Sequence, residues 1–172
     1  MKNLIFVNGT MGAGKTAVCR ALQSRLEPCV FLDGDWCWDM RPFTVTEETK
    51  AVVVDNICAM LGNFLRCGAW ENVVFCWVMQ DRAIAENILR RLDLTNVNAR
   101  LFTLMVSEKT LRARLETDVQ SGKRERDVIE RSVARLPLYE RMDSEKIDTD
   151  ALTPDQIAEI IANRIWEGEK HT

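Results

Sequence analysis

Residues 9–16 read GTMGAGKT. Every fixed position of the pattern G-x-x-x-x-G-K-[ST] is met, by Gly9, Gly14, Lys15 and Thr16. The flanks agree with it. The apolar run LIFVN precedes the glycines, and TAVCRALQSRL follows with helical spacing. A glycine-rich turn between a buried strand and a helix aims successive backbone N–H groups inward, and the helix adds the positive end of its dipole. Such a cradle suits phosphate oxygens. The spacing assigns Gly9, Met11, Gly12, Ala13, Gly14, Lys15, Thr16 and Ala17 to nucleotide contacts. Lys15 is expected to reach the β- and γ-phosphates, and the Thr16 hydroxyl to ligate Mg²⁺. The competing reading, a turn that binds nothing, is disfavoured by the strand-helix setting.

The rest of the chain repeats this alternation. Apolar runs at 3–8, 29–33, 73–79, 100–106 and 146–148 read as strands. Helical spacing covers about 15–26, 46–67, 82–92, 108–119, 125–142 and 153–167. Thr153-Pro154 opens the last helix as N-cap and first helical residue; Asp81 and Ser107 read as further caps, and Thr46-Glu47-Glu48 opens the second helix. Strands alternating with helices predict a parallel sheet covered on both faces, with ligands beyond the carboxyl ends of the strands. No repeat, low-complexity tract or Pro/Gly-rich linker divides the chain, so residues 1–172 read as one domain.

Composition narrows the function classes. A net charge of −3 gives no basic excess for duplex nucleic acid. No apolar run is long enough for a membrane span, and MKNLIFVNG reads as a first strand rather than a leader. The six cysteines include no Cys-x-x-Cys pair and read as reduced, mostly buried thiols of a cytoplasmic protein. The only histidine, His171, all but removes His-based triads and His-rich zinc sites. The expected assembly is a monomer or homodimer.

The second strand leads into LDGDWCWDM, residues 32–40. Along a strand residues i and i+2 share a face, so Asp33 and Asp35 are expected to point the same way at the carboxyl end of the second strand, and Gly34 to remove bulk beside the phosphate loop. Asp33 then holds a water on Mg²⁺, and Asp35 takes the proton of an acceptor hydroxyl. Trp36, Trp38 and Arg41 follow at the strand's ligand end. Indoles there can stack on a flat or sugar-like acceptor, and Arg41 can pair with an anionic group. The alternative is a solvated turn with one packed tryptophan.

GTMGAGKT followed by FLDGD resembles the small P-loop kinases related to gluconate kinase, shikimate kinase and adenylylsulfate kinase, and more broadly nucleoside-monophosphate-kinase-like proteins. It is also similar to bacterial nucleotide kinases of undefined substrate. The resemblance spans almost the whole chain. It implies an α/β P-loop NTPase fold, with a five-stranded parallel sheet in the order 2-3-1-4-5, helices on both faces and a short lid. It also implies an Asp-x-Asp serving magnesium and acceptor, and ATP with Mg²⁺ transferring phosphate to a small molecule or nucleotide. Two rivals use similar parts: an antibiotic-modifying phosphotransferase, and a nucleotide-hydrolysing switch acting on a partner.

The third strand ends VMQD, so Met79 and Gln80 precede the first acidic residue, Asp81. This favours Asp33 over Asp81 for magnesium. It leaves Gln80 to offer its amide to the acceptor, and Trp77 reads as core. In 118–126, DVQSGKRER, Gly122 breaks a helix and Lys123, Arg124 and Arg126 cluster after it. That suits a lid, at about 118–127, that closes over the triphosphate and neutralises transition-state charge. Related kinases carry R-L-x-x-R entering the lid; here RLETD puts Asp118 at the second arginine, so Arg124 and Arg126 become the candidates. Arg112 or Arg114 is expected against adenine, opposite the loop after KIDTD. Arg135 reads as solvated.

Overall fold

The computed structural model describes residues 1–169; His171 lies outside them. Five strands, β1 (Lys2–Asn8), β2 (Cys29–Asp33), β3 (Asn72–Cys76), β4 (Val97–Met105) and β5 (Glu145–Asp148), form one sheet in the order β2-β3-β1-β4-β5. All four pairings are parallel. The helices are α1 (Lys15–Arg25), α2 (Glu47–Arg66), α3 (Arg82–Leu89), α4 (Glu108–Gln120), α5 (Val128–Val133), α6 (Leu136–Glu140) and α7 (Pro154–Glu169). The expected fold and strand order are those observed.

Alternation along β1 explains why both faces are covered. Ile5 and Val7 join one core with α1, α4 and α7, while Leu4 and Phe6 join a second core with α2 and α3. A strand buried on both faces reads as a continuous apolar run, as LIFV does. On α7 the buried residues Ile157, Ala158, Ile161, Ala162 and Ile165 make one helical stripe. The caps fall where the sequence puts them. Thr46, Asp81, Ser107 and Thr153 each accept a backbone N–H of the first turn.

Several element boundaries differ from expectation, among them the start of β4 at Val97 and the end of α3 at Leu89, and two others shape the site. β3 stops at Cys76 rather than Met79. Its neighbours give out there, since Cys76 is the last residue paired with both Val7 and Asp33. The chain then leaves the sheet. The expected helix over 125–142 is two short helices, α5 and α6. Pro137 lies in the first turn of α6, where its missing N–H costs nothing, but it could not continue α5.

Candidate active site

The loop after β1 sits where the sheet order reverses, beyond the carboxyl ends of the strands. Gly12 and Gly14 have φ of 86° and 94°, a region that side chains rarely adopt. A Cβ on Gly12 would come within 2.8 Å of Leu115, so α4 packs directly on the loop. A Cβ on Gly14 would meet nothing within 4 Å, which leaves the space in front of α1 open. No side chain caps α1, so its first N–H groups face that space unclaimed by a cap. Thr10 Oγ1 donates to the carbonyl of Ser132 at 2.9 Å, tying the loop to α5.

Lys15 Nζ donates to the carbonyls of Gly9 (3.0 Å) and Thr10 (3.1 Å), folding back over the loop. Burial lowers its pKa; the Asp35 and Asp33 carboxylates nearby oppose that shift. Thr16 Oγ1 donates to Asp33 Oδ2 at 2.7 Å. Asp33 is 6% exposed, and its other oxygen accepts the Asp35 N–H at 3.1 Å.

That second bond corrects the strand argument for Asp35. β2 ends at Asp33, which caps a 3-10 turn over Gly34–Trp38. Asp35 belongs to the turn, not to a strand face. The two carboxylates are nonetheless close, because the turn curls back on its cap. Desolvation raises the Asp35 pKa and Asp33 raises it further, while Lys15, Arg124 and a hydrogen bond from the Trp77 side chain lower it. Gly34 has a different partner from the one expected. A Cβ there would come within 2.6 Å of the Trp77 ring, so the indole, not the phosphate loop, needs the missing side chain.

Beside Asp35 opens a cleft of about 830 Å³. Of the residues expected to meet the acceptor, Asp35, Trp36, Trp38 and Gln80 line it and Arg41 does not. Trp36 also packs edge-on to Phe31, with the Arg20 guanidinium 5.3 Å from its ring. Trp77, expected in the core, is half-buried and forms part of the wall, because β3 ends one residue before it. Arg135, expected in solvent, reaches the same cleft, as does Lys50 of α2. Sequence reasoning missed these three. Only Trp77 carried a signal, its place at the ligand end of a central strand. Asp81 is spent on capping α3, with its carboxylate 2.9 Å from the Ala83 N–H.

Near the expected lid, α4 ends in a Schellman motif. Gly122, at φ 72°, donates to Val119, and Lys123 donates to Asp118. Arg124 Nε lies 3.1 Å from Asp118 Oδ2, so the carboxylate that replaces an arginine in RLETD holds another arginine instead. Arg126 is exposed. Arg112 is engaged by Glu108 (2.8 Å) and Glu130 (2.6 Å), bridging α4 to α5, which ties up the guanidinium expected on adenine. Arg114 donates to the Thr149 carbonyl at 2.9 Å, beside the loop after β5. All six cysteines are unpaired; Cys19, Cys58 and Cys76 are buried, and burial pushes the Cys29 thiol up to about 12.

A hydrogen bond to Asp35 has a measurable consequence. Where Asp35 acts as a base, activity rises with pH through its pKa, because only the ionised form accepts a proton. Removing the Trp77 donor raises that pKa. Trp77→Phe keeps the ring over Gly34 and is expected to move the acid limb of the pH–rate profile to higher pH; an unmoved limb would show that the bond does not tune the base.

The strand order, the loop and the helix behind it define a P-loop nucleotide-binding protein. The chain belongs to the AAA domain family, whose sequence pattern matches residues 5–146. It is 26% identical to shikimate kinase of Colwellia psychrerythraea, over 96% of each chain. Among solved structures it is similar to the Deinococcus radiodurans tunicamycin resistance protein (TM-score 0.70, 21% identity, 96% of each chain covered). It is also similar to a gluconokinase from Sinorhizobium meliloti (TM-score 0.68, 17% identity, covering 98% of this chain and 96% of that one). The structural likenesses establish the fold.

Proposed function

We propose that the chain is an ATP-dependent kinase that transfers the γ-phosphate to a hydroxyl of a small molecule. The position of Asp35 carries this reading. It lines a cleft that opens beside the phosphate loop, with Met11 of the loop in its wall, and it interacts with Lys15 and Asp33. A nucleotide switch needs only the first site. Two adjoining sites with a carboxylate at their boundary suit transfer between two bound molecules.

In the proposed reaction Asp35 accepts a hydrogen bond from the acceptor hydroxyl and takes its proton as the new O–P bond forms. The bond from the γ-phosphorus to the bridging oxygen breaks, and that oxygen leaves on ADP. Lys15 and the open N–H groups of the loop and α1 stabilise the charge that accumulates there. Thr16 and Asp33 fit a magnesium site, since hydroxyl and carboxylate converge at 2.7 Å. Among the described residues no three His, Cys, Asp or Glu side chains are arranged to hold a metal ion, so an ion here would be held mainly by water and phosphate. Mg²⁺ there would neutralise phosphate charge.

Residues 118–127 are read as the lid and Arg124 as its working arginine, with Arg126 second. Arg114, rather than Arg112, is the better placed for the base. A single domain over 1–172, a cytoplasmic location and a monomeric or homodimeric state belong to the same proposal. No helix among the described residues is long and apolar enough to cross a membrane.

ADP release that depends on an added hydroxyl acceptor tests the reading. Release unchanged by every acceptor, and raised instead by a protein partner, would favour the switch. In the same assay Arg124→Ala is expected to lower turnover by more than it raises the apparent constant for ATP. Wild-type turnover in that variant at saturating acceptor would leave the cluster as a solvated turn.

A further inference from the structure

We propose that the acceptor is amphipathic: a hydroxyl carried on an extended aromatic or aliphatic body, larger than a monosaccharide. The proposal takes from the kinase reading only that this cleft is the acceptor site. Its chemistry comes from the walls.

At about 830 Å³ the cleft lies towards the upper end of the roughly 300–1,000 Å³ typical of sites for drug-sized ligands. Its sides are Trp36, Trp38, Phe43, Val45, Trp77 and Ile84. Phe43, Val45 and Trp36 are 68%, 53% and 48% exposed, so large apolar side chains are left in water around one opening. Such a patch rimmed by polar groups marks a place where something apolar is bound. A small polyol or sugar acid would set most of its hydroxyls against aromatic faces and aliphatic walls, which offer few hydrogen-bond partners.

Cations are few. Lys50 is held by Glu47 at 2.8 Å, and Arg41 does not line the cleft. Arg135 lines it and forms no ion pair among the described residues. One uncommitted guanidinium suits a single anionic or carbonyl group on the acceptor. Asp35 in the cleft wall fixes which part of the molecule must be the hydroxyl.

The test uses defined probes with the full chain. Alkyl β-glucosides from methyl to octyl, below their micellar concentrations, vary the aliphatic body. Phenyl β-glucoside supplies the aromatic one, and gluconate and shikimate represent small polar acids. With Mg-ATP, kcat/KM is expected to be at least tenfold higher for octyl or phenyl glucoside than for methyl glucoside; the better of the two tells an aliphatic from an aromatic body. Binding is read separately by tryptophan fluorescence without nucleotide. Phe43→Ser, at a position 68% exposed, is expected to weaken octyl and phenyl glucoside at least fivefold, and Trp38→Leu to do the same. Binding with that mutational pattern but no phosphate transfer would uphold the amphipathic site and overturn the kinase reading. Octyl and phenyl glucoside binding no better than methyl glucoside, or gluconate or shikimate giving the highest kcat/KM, would overturn the proposal.

Discussion

Asp35→Asn is expected to lower turnover by about 10²-fold or more, within the range for loss of a general base, with ATP affinity near that of the wild type. The phosphate loop, Lys15 and Thr16 do not use the Asp35 carboxylate for any hydrogen bond of their own. The bond that shapes the turn runs from the Asp35 backbone N–H to Asp33, so the amide side chain keeps it. The same substitution is expected to raise the melting temperature at neutral pH. The folded-state pKa of Asp35 is raised, first by desolvation and then by Asp33. The folded protein therefore binds that proton more tightly than the unfolded chain, and stability falls as pH rises from the ordinary aspartate value through the raised one. Above that window the full penalty is present, and asparagine removes it. Steady-state kinetics, calorimetry of ATP binding and thermal melts at acid and neutral pH separate these effects. Full turnover in Asp35→Asn would move the reaction away from the cleft. Asp33→Asn is expected to differ, by responding to magnesium concentration.

The second large effect concerns the nucleotide. A ligand at about 100 times its dissociation constant stabilises the fold by roughly 2.7 kcal/mol. Lys15→Ala is expected to lose most of that gain with Mg-ATP, seen as a thermal shift much smaller than in the wild type. Equal shifts would separate ATP binding from GTMGAGKT. The lysine also sets a pH dependence. Burial depresses its pKa in the free protein, and phosphate opposite it restores the charge, so nucleotide binding takes up a proton at alkaline pH. Affinity for ATP is expected to weaken there in the wild type and not in Lys15→Met.

The frame was legible because its signals are local. A strand buried on both faces, a motif with fixed spacing and four side-chain caps each depend on a few neighbouring residues; the sheet order came with the resemblance to small P-loop kinases that the motif carries. Errors arose where an element's end depends on its partners. VVFCWVM reads as an unbroken strand, but pairing of β3 with β1 and β2 ends at Cys76, and this moves Trp77 from core to cleft wall. The DGD repeat likewise looks like strand alternation, although Asp33 uses its carboxylate to start a turn. Lys50 and Arg135 reach the cleft from α2 and from just before α6, a meeting that only the tertiary fold creates. Charge alone could not tell them from solvated cations, and Arg41, beside the tryptophans in sequence, was favoured for proximity along the chain.

The ion pair between Arg124 and Asp118 sets a condition on timing. Asp118 and Arg124 are both only partly solvent-exposed, so the arginine gives up a real partner when it turns towards a phosphate. Mg-bound diphosphate offers too little charge to outbid that carboxylate as well as a triphosphate can. Under the proposed lid reading, the resting enzyme therefore keeps its arginine docked and its chemistry idle. On that reading product would leave from a lid already being recaptured, and a single aspartate six residues upstream would check futile consumption of ATP.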